Sequence, residues 1–149
     1  MPSFDTRGRR ERLALTTYVR LLRAANAART FSSQHIANAD LTLTQFTVLE
    51  ALYHLGPMPL SDIAQKLLTT GGNLTLVVSN LEKRGFAERQ RSPQDGRVFV
   101  VVLTSKGKTL MRDIFPKHAE RIARFFRVLN ANEQQKLGEL CRKLGTQEP

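Results

Sequence analysis

The spacing of apolar residues changes its period in the middle of this chain, and that change restricts the possible folds. Across residues 10–84, apolar side chains recur every three or four positions, which is typical of amphipathic α-helices. Residues 98–103 form a dense β-branched and aromatic run, which predicts a strand. Residues 86–90 predict its partner strand, and the Pro, Asp and Gly of residues 91–96 predict the connecting loop. Helical spacing then resumes, so the expected fold class is mainly α with a small β-hairpin.

Capping residues divide the helical part of the chain. The first helix is expected at about residues 10–35, and its broad apolar face indicates burial against something beyond its own domain. Thr42 and Gln45 have the spacing of a capping box ahead of a second helix, which Gly56 ends. After the hairpin, Thr104 is expected to cap another helix. The helical content is therefore distributed on both sides of the hairpin.

A short helix opened by Ser61, a tight turn at residues 69–72 and a further helix at residues 73–84 predict a helix-turn-helix. In that motif the second helix enters the DNA major groove, where polar side chains meet the base edges. The side chains expected on its outer face are Asn73, Thr75, Leu76, Ser79, Asn80 and Lys83.

Two further groups of residues flank this helix. Thr69, Thr70 and Gly72 precede it at the positive end of its dipole, which suits a DNA phosphate. The hairpin is expected to carry three basic side chains together at its tip, where they would enter an adjacent minor groove. These side chains are Arg89, Arg91 and Arg97, and Asp95 is expected to steady one of them.

Composition supports a polyanionic partner. The chain has 23 Lys and Arg against 13 Asp and Glu, a net charge of +10, which favours nucleic acid or an anionic membrane surface. No apolar run approaches the roughly 20 residues that span a bilayer, so a cytoplasmic protein is expected. No nucleophile–histidine pair, phosphate loop or metal-ligand spacing is present, so neither an enzyme nor a cofactor or metal is expected.

The motifs together carry a family resemblance. The sequences LSDIA at residues 60–64, GNLT at 72–75, LEKRG at 81–85, DGR at 95–97 and LTSKG at 103–107 resemble the MarR family of regulators. The resemblance covers nearly all of the single chain, residues 1–149. The chain departs from the family in two places: Gly96 stands where Arg is common in the hairpin, and Leu76 stands where the recognition helix often has Arg.

The resemblance implies a winged helix-turn-helix at residues 42–104 between dimerisation helices at 8–37 and 105–146. It further implies a homodimer that binds a pseudo-palindromic operator as a repressor, and that a small-molecule effector releases. The effector pocket is expected at the junction of the first, second and fifth helices. Its candidate residues are Tyr18, Phe46, Tyr53 and His54.

Other readings of the sequence stay open. The chain is alternatively a winged-helix architectural or protein-interaction module with non-specific DNA affinity. Asn73 is equally suited to local helix capping and to DNA contact. Cys141 is either a small apolar residue of a dimer helix or a redox switch.

Overall fold

The computed structural model describes residues 8–67 and 71–147. Six helices and three strands follow one another along these residues. They are α1 (Arg9–Ala37), α2 (Leu43–Leu55), β1 (Met58–Pro59), α3 (Leu60–Leu67), α4 (Gly71–Lys83), β2 (Ala87–Arg91), β3 (Phe99–Leu103), α5 (Ser105–Phe126) and α6 (Ala131–Gly145). The mainly α fold class with a small β-hairpin is confirmed. None of the described helices is both long and apolar enough to span a membrane.

The predicted helix caps are present. The Thr42 hydroxyl accepts a hydrogen bond from the Gln45 backbone N–H at 3.1 Å, and the Gln45 side chain accepts one from the Thr42 N–H at 2.9 Å. Gly56 follows α2 with a φ of 81°, a conformation that glycine adopts without strain. Thr104 caps α5 by accepting from the Gly107 N–H at 3.0 Å. These local contacts fix where the helices begin and end.

The hairpin belongs to a three-stranded antiparallel sheet with the order β1-β3-β2. The short β1 strand was not predicted, because two residues carry no readable alternation. Met58 pairs with Val101, and both side chains are buried beneath the sheet. The additional strand makes β3 central and joins the hairpin to the chain between α2 and α3.

The core lies in the segment from α2 to α5. Its fully buried side chains come from all these helices and from the sheet, and they include Phe46, Leu49, Ile63, Leu74, Leu81, Val101 and Met111. The C-terminal end of α1 joins this core through Ile36, whereas α6 has no buried residue. Most of α1 and all of α6 therefore extend beyond the core of the single chain.

Two predicted helix starts need correction. Helix α4 begins at Gly71 rather than at residue 73, so Gly72 lies in its first turn and not in the expected tight turn. Packing of the buried face of α4 overrides the poor helix propensity of two glycines. Thr69 and Thr70 lie outside the described residues. Helix α3 begins at Leu60, directly after β1, one residue before the expected opening at Ser61.

Candidate nucleic-acid interface

Helix α4 has one buried and one exposed face. Leu74, Val78 and Leu81 are completely buried and attach the helix to the core. Spacings of three and four residues place them on one side, as the helical period requires. The opposite side carries the predicted recognition residues. Asn73, Thr75, Leu76 and Lys83 are exposed, and Ser79 and Asn80 are half-buried at its margins.

Leu76 is the apolar member of that face, and 62% of its surface is exposed. It has a polar neighbour at Thr75 and projects away from the core that Leu74 enters. An exposed leucine between small polar side chains suits the methyl group of a thymine in the major groove. The face as a whole is weakly charged, since Lys83 is its only ionised side chain.

The tip of the hairpin holds two arginines in different ways. Arg91 donates from Nη1 to the Gly96 carbonyl oxygen at 2.6 Å, and its guanidinium lies 5.0 Å from the centre of the Phe99 ring. Arg97 is 93% exposed and donates from Nε to the Asp95 carboxylate at 3.4 Å. The expectation that Asp95 steadies an arginine at the tip is therefore confirmed.

Arg89 is separated from those two arginines. It lies in the middle of β2, where it pairs with Val101 across the hairpin. Its side chain turns toward α4 and forms a 2.6 Å ion pair with Glu82. The sequence prediction that all three arginines share the tip is wrong, because Arg89 lies two residues back along β2, about 7 Å from Arg91, and its guanidinium is bound by Glu82.

Behind the interface, Phe86 is a platform for two cations. The Arg84 guanidinium lies 5.0 Å from the ring centre, and the Lys106 ammonium lies 4.8 Å from it. Arg84 also donates to the Asp40 carbonyl at 2.7 Å, and Lys106 donates to the Arg84 carbonyl at 2.8 Å. These contacts attach the end of α4 both to the turn between α1 and α2 and to the start of α5.

The predicted effector residues are partly brought together. An aromatic cluster at the contact of α2 with α5 contains three of them, Phe46, Tyr53 and His54. The Phe46 ring centre lies 4.5 Å from that of His118, and His54 lies 4.5 Å from Phe115. Phe46 is completely buried, whereas Tyr53 and His54 are at the surface.

Tyr18 does not join this aromatic cluster. It is 58% exposed on the N-terminal half of α1. Phe31, at the other end of α1, packs on Phe125 of α5 with ring centres 5.4 Å apart. Tyr18 precedes Phe31 by 13 residues, which is about 20 Å along a helix. The length of α1 therefore separates Tyr18 from the junction at which the family resemblance led us to expect it.

His118 is the residue of this cluster that sequence reasoning missed. Its Nδ1 atom is buried and has no hydrogen-bond partner among the described residues. Burial lowers the pKa of His118, and the nearby His35 lowers it further. A signal was available in the sequence, because Met111, Ile114 and His118 have the spacing of one helix face.

The remaining candidate ionisable groups lie outside the aromatic cluster. Among the residues that the structure describes, no cluster of His, Cys, Asp and Glu is arranged to hold a metal ion. Cys141 is an exposed free thiol on α6. In α2, burial raises the pKa of Glu50, and the charge of His54 partly offsets that rise.

An exposed polar helix beside a basic β-hairpin defines a DNA-binding protein of the winged helix-turn-helix class. The model of the MarR family matches residues 41–99. The HTH-type transcriptional regulator MhqR of Bacillus subtilis (strain 168) is 37% identical over 132 residues, which cover 89% of this chain and 91% of MhqR. This chain belongs to the MarR family; it is a DNA-binding transcriptional regulator and not an enzyme.

Two solved structures illustrate the similarity. BpsR from Bordetella bronchiseptica, whose DNA binding is regulated by 6-hydroxynicotinic acid, has 29% identity and a TM-score of 0.76, with 86% of this chain and 91% of BpsR covered. A mutant MarR from E. coli complexed with operator DNA has a TM-score of 0.76 over 90% of this chain and 95% of that one. The sequences are 21% identical, so this comparison shows that the two chains share a fold and no more.

Proposed function

We propose that the protein is a homodimeric repressor that binds a pseudo-palindromic operator through α4 and the β2–β3 hairpin, with release by a small-molecule effector. The observation that carries this proposal is the exposed face of α4, a helix that packs against β2 of the hairpin that carries Arg91 and Arg97. The fold shared with a MarR complexed with operator DNA supports operator DNA as the partner of this chain.

Helix α4 and the β2–β3 hairpin differ in charge, and we assign them different roles in DNA binding for that reason. Asn73, Thr75 and Asn80 offer hydrogen-bonding groups with little charge, so α4 would specify the sequence through base edges. Arg91 and Arg97 would supply salt-dependent affinity through phosphates and the minor groove. Gly72, in the first turn of α4, would leave room for a phosphate at the helix N-terminus.

Dimerisation is supported by apolar side chains that the single chain leaves uncovered. On α1, Leu13 is 68% exposed and Leu22 is 50% exposed, and on α6 Leu140 and Leu144 are 48% and 50% exposed. Apolar surface concentrated on two terminal helices is typical of an interface between chains. The proposed occupant of this surface is a second copy of the chain, with residues 8–37 and 105–146 as the dimerisation helices. Replacing Leu140 and Leu144 by Glu should give a monomer in sedimentation analysis.

The salt dependence of DNA affinity tests the proposed contacts. Genomic fragments that bind the protein are selected first, and the shared site is then used in fluorescence anisotropy. Six to ten phosphate contacts per dimer would lower the affinity roughly 10³–10⁵-fold between 50 and 200 mM salt. A flat salt profile would contradict the proposal. Uniform weak binding to all fragments would support the alternative of an architectural module.

A matched pair of variants locates the phosphate contacts. Arg97→Gln removes one contact from each protomer, so the log–log salt slope should become shallower by about 1.8 for the dimer. Lys117→Gln removes the same charge from the middle of α5, where Lys117 pairs with Asp113 at 3.3 Å. The Lys117 variant should keep the slope of the parent protein. Equal slopes for both variants would exclude Arg97 from the contact surface.

The effector site is proposed at the aromatic cluster of Phe46, Tyr53, His54, Phe115 and His118. The unpartnered Nδ1 of His118 supports a site there, because a buried nitrogen without a partner favours a ligand that supplies one. The probe is 6-hydroxynicotinic acid, which regulates BpsR. It should release the operator from the parent protein and have less effect on His118→Phe. Equal release from both proteins would place the effector elsewhere.

A further inference from the structure

We propose that Glu82 and Arg89 are positioning residues that fix the hairpin against α4, and that Arg89 acts through this contact and not by touching DNA. The proposal rests on the function proposed above, in which α4 and the hairpin bind DNA together. It assigns a specificity-determining role to Glu82, an acidic residue on the helix proposed to face DNA.

The direction of the Arg89 side chain follows from the register of the sheet. Residues opposite each other in an antiparallel pair project from the same face. Ala87 pairs with Leu103 and Arg89 pairs with Val101, and those partners are both buried. Arg89 therefore lies on the core side of the hairpin, where α4 packs, and not on the outer side with Glu88.

Glu82 uses both of its carboxylate oxygens on this one residue. Oε1 accepts from the Arg89 backbone N–H at 2.9 Å, and Oε2 accepts from Arg89 Nη1 at 2.6 Å. A second guanidinium nitrogen, Nη2, lies 3.5 Å from the Ser79 hydroxyl. A contact to both the backbone and the side chain of β2 fixes where the strand lies along α4 as well as how far from it.

The pair is only partly exposed, which distinguishes it from the ion pair at the hairpin tip. Only 34% of the Arg89 side chain and 26% of the Glu82 side chain are exposed. By contrast, the Arg97 side chain at the hairpin tip is 93% exposed. Arg89 thus has its guanidinium occupied by protein, whereas Arg97 has most of its surface available to a ligand.

The negative charge of Glu82 distinguishes a positioning role from a purely electrostatic one. Glu82 is the one acidic residue of α4; it precedes Lys83 in the sequence, and its half-buried side chain bonds Arg89 at the margin of the exposed face. A carboxylate near DNA phosphates opposes binding to any sequence. If Glu82 only contributed charge, its neutralisation would strengthen binding to every DNA. If it positions the hairpin, neutralisation weakens binding to the operator, where both parts must fit their grooves together.

Four variants test this assignment with operator and random duplexes across a salt series. Glu82→Gln should weaken operator binding about tenfold while random-duplex binding stays equal or strengthens, so the specificity ratio falls. Glu82→Asp keeps the charge and shortens the reach by one methylene, so it should also lower the ratio. Arg89→Gln should weaken operator binding with an unchanged salt slope, unlike Arg97→Gln, whose slope becomes shallower.

The double variant Glu82→Gln with Arg89→Gln should be little worse than either single change, because both remove the same contact. Thermal melting of each variant identifies any loss that comes from unfolding, which would reduce operator and random binding equally. The assignment is overturned if Arg89→Gln makes the salt slope shallower as Arg97→Gln does, or if Glu82→Gln strengthens operator binding. Failure of the parent protein to show salt-dependent binding would instead overturn the proposed function.

Discussion

At Gly107, in the first turn of α5, a change to alanine should have two opposing effects on stability: a gain in helix propensity and a loss from a steric clash. Replacing glycine by alanine within a helix ordinarily stabilises a protein by up to about 1 kcal/mol. A Cβ atom at Gly107, however, would lie 2.0 Å from the Phe86 carbonyl oxygen and 3.2 Å from a Leu103 methyl carbon. Cβ atoms in proteins essentially never come closer than 3.0 Å to a heavy atom outside their own residue and its chain neighbours. The Phe86 carbonyl oxygen and the new Cβ atom must therefore separate by a further 1.0 Å, which requires the backbone to move.

That displacement has a calculable cost. The Phe86 carbonyl accepts a hydrogen bond from the Thr104 N–H at 3.2 Å, and moving it disrupts this link between the start of β2 and the end of β3. Overpacking costs about 1–3 kcal/mol and a lost hydrogen bond about 1 kcal/mol. After the helix-propensity gain of about 1 kcal/mol, Gly107→Ala should lower the free energy of unfolding by about 2 kcal/mol.

Chemical and thermal denaturation followed by circular dichroism measure this change. A loss of about 2 kcal/mol corresponds to a melting temperature lower by roughly 4–8 °C in a chain of this size. Gly138→Ala is the matched control, because Gly138 lies inside α6 and no atom of the described part of the chain approaches its Cβ position within 4 Å. The control should be unchanged or more stable, by up to about 1 kcal/mol. A Gly107→Ala protein as stable as the parent would refute the clash argument.

Three further predictions concern contacts that hold the helices. His118 has a lowered pKa in the folded state, so between about pH 6.5 and that lower value the unfolded chain binds more protons; stability should fall as the pH decreases, and His118→Phe should flatten the profile in urea titrations at several pH values. Thr42→Ala removes one side of a capping box and should cost about 1 kcal/mol, whereas a cost near zero in the same assay would contradict the role of the cap. Arg121 donates to the Phe31 carbonyl at 2.9 Å and stacks on its ring at 4.2 Å; Arg121→Met should cost about 1–3 kcal/mol, and amide exchange at the end of α1 should accelerate.

The parts of the fold that depend on local chemistry were predicted from the sequence. The capping box of Thr42 and Gln45 and the cap at Thr104 were readable because each needs only residues three positions apart. The β2–β3 hairpin was readable for the same reason, because a turn-forming loop connects two adjacent strands. These features arise from contacts between near neighbours in sequence.

The features that sequence reasoning missed depend on contacts between distant residues or on how far along a helix or strand a residue lies. Strand β1 exists because Met58 meets Val101, which is 43 residues further along the chain. Tyr18 lies on the apolar face of α1, but the spacing of apolar residues does not show which part of this 29-residue helix packs against α5. Arg89 was assigned to the hairpin tip by its closeness to Arg91, and the contact with Glu82 of α4 that holds it away from the tip depends on how the helix packs against β2.

The order of the sheet has a consequence for how the hairpin avoids self-association. Because β3 is central, β2 is an edge strand, and an edge offers unpaired backbone groups to the strand of another molecule. Its sequence, AERQR, is mostly charged, and Arg91 also covers part of the apolar ring of Phe99. The charges that suit DNA thus also keep two hairpins from pairing into aggregates. Variants that weaken DNA binding should accordingly use glutamine and not valine or leucine, since apolar replacements on β2 would create an aggregation-prone edge.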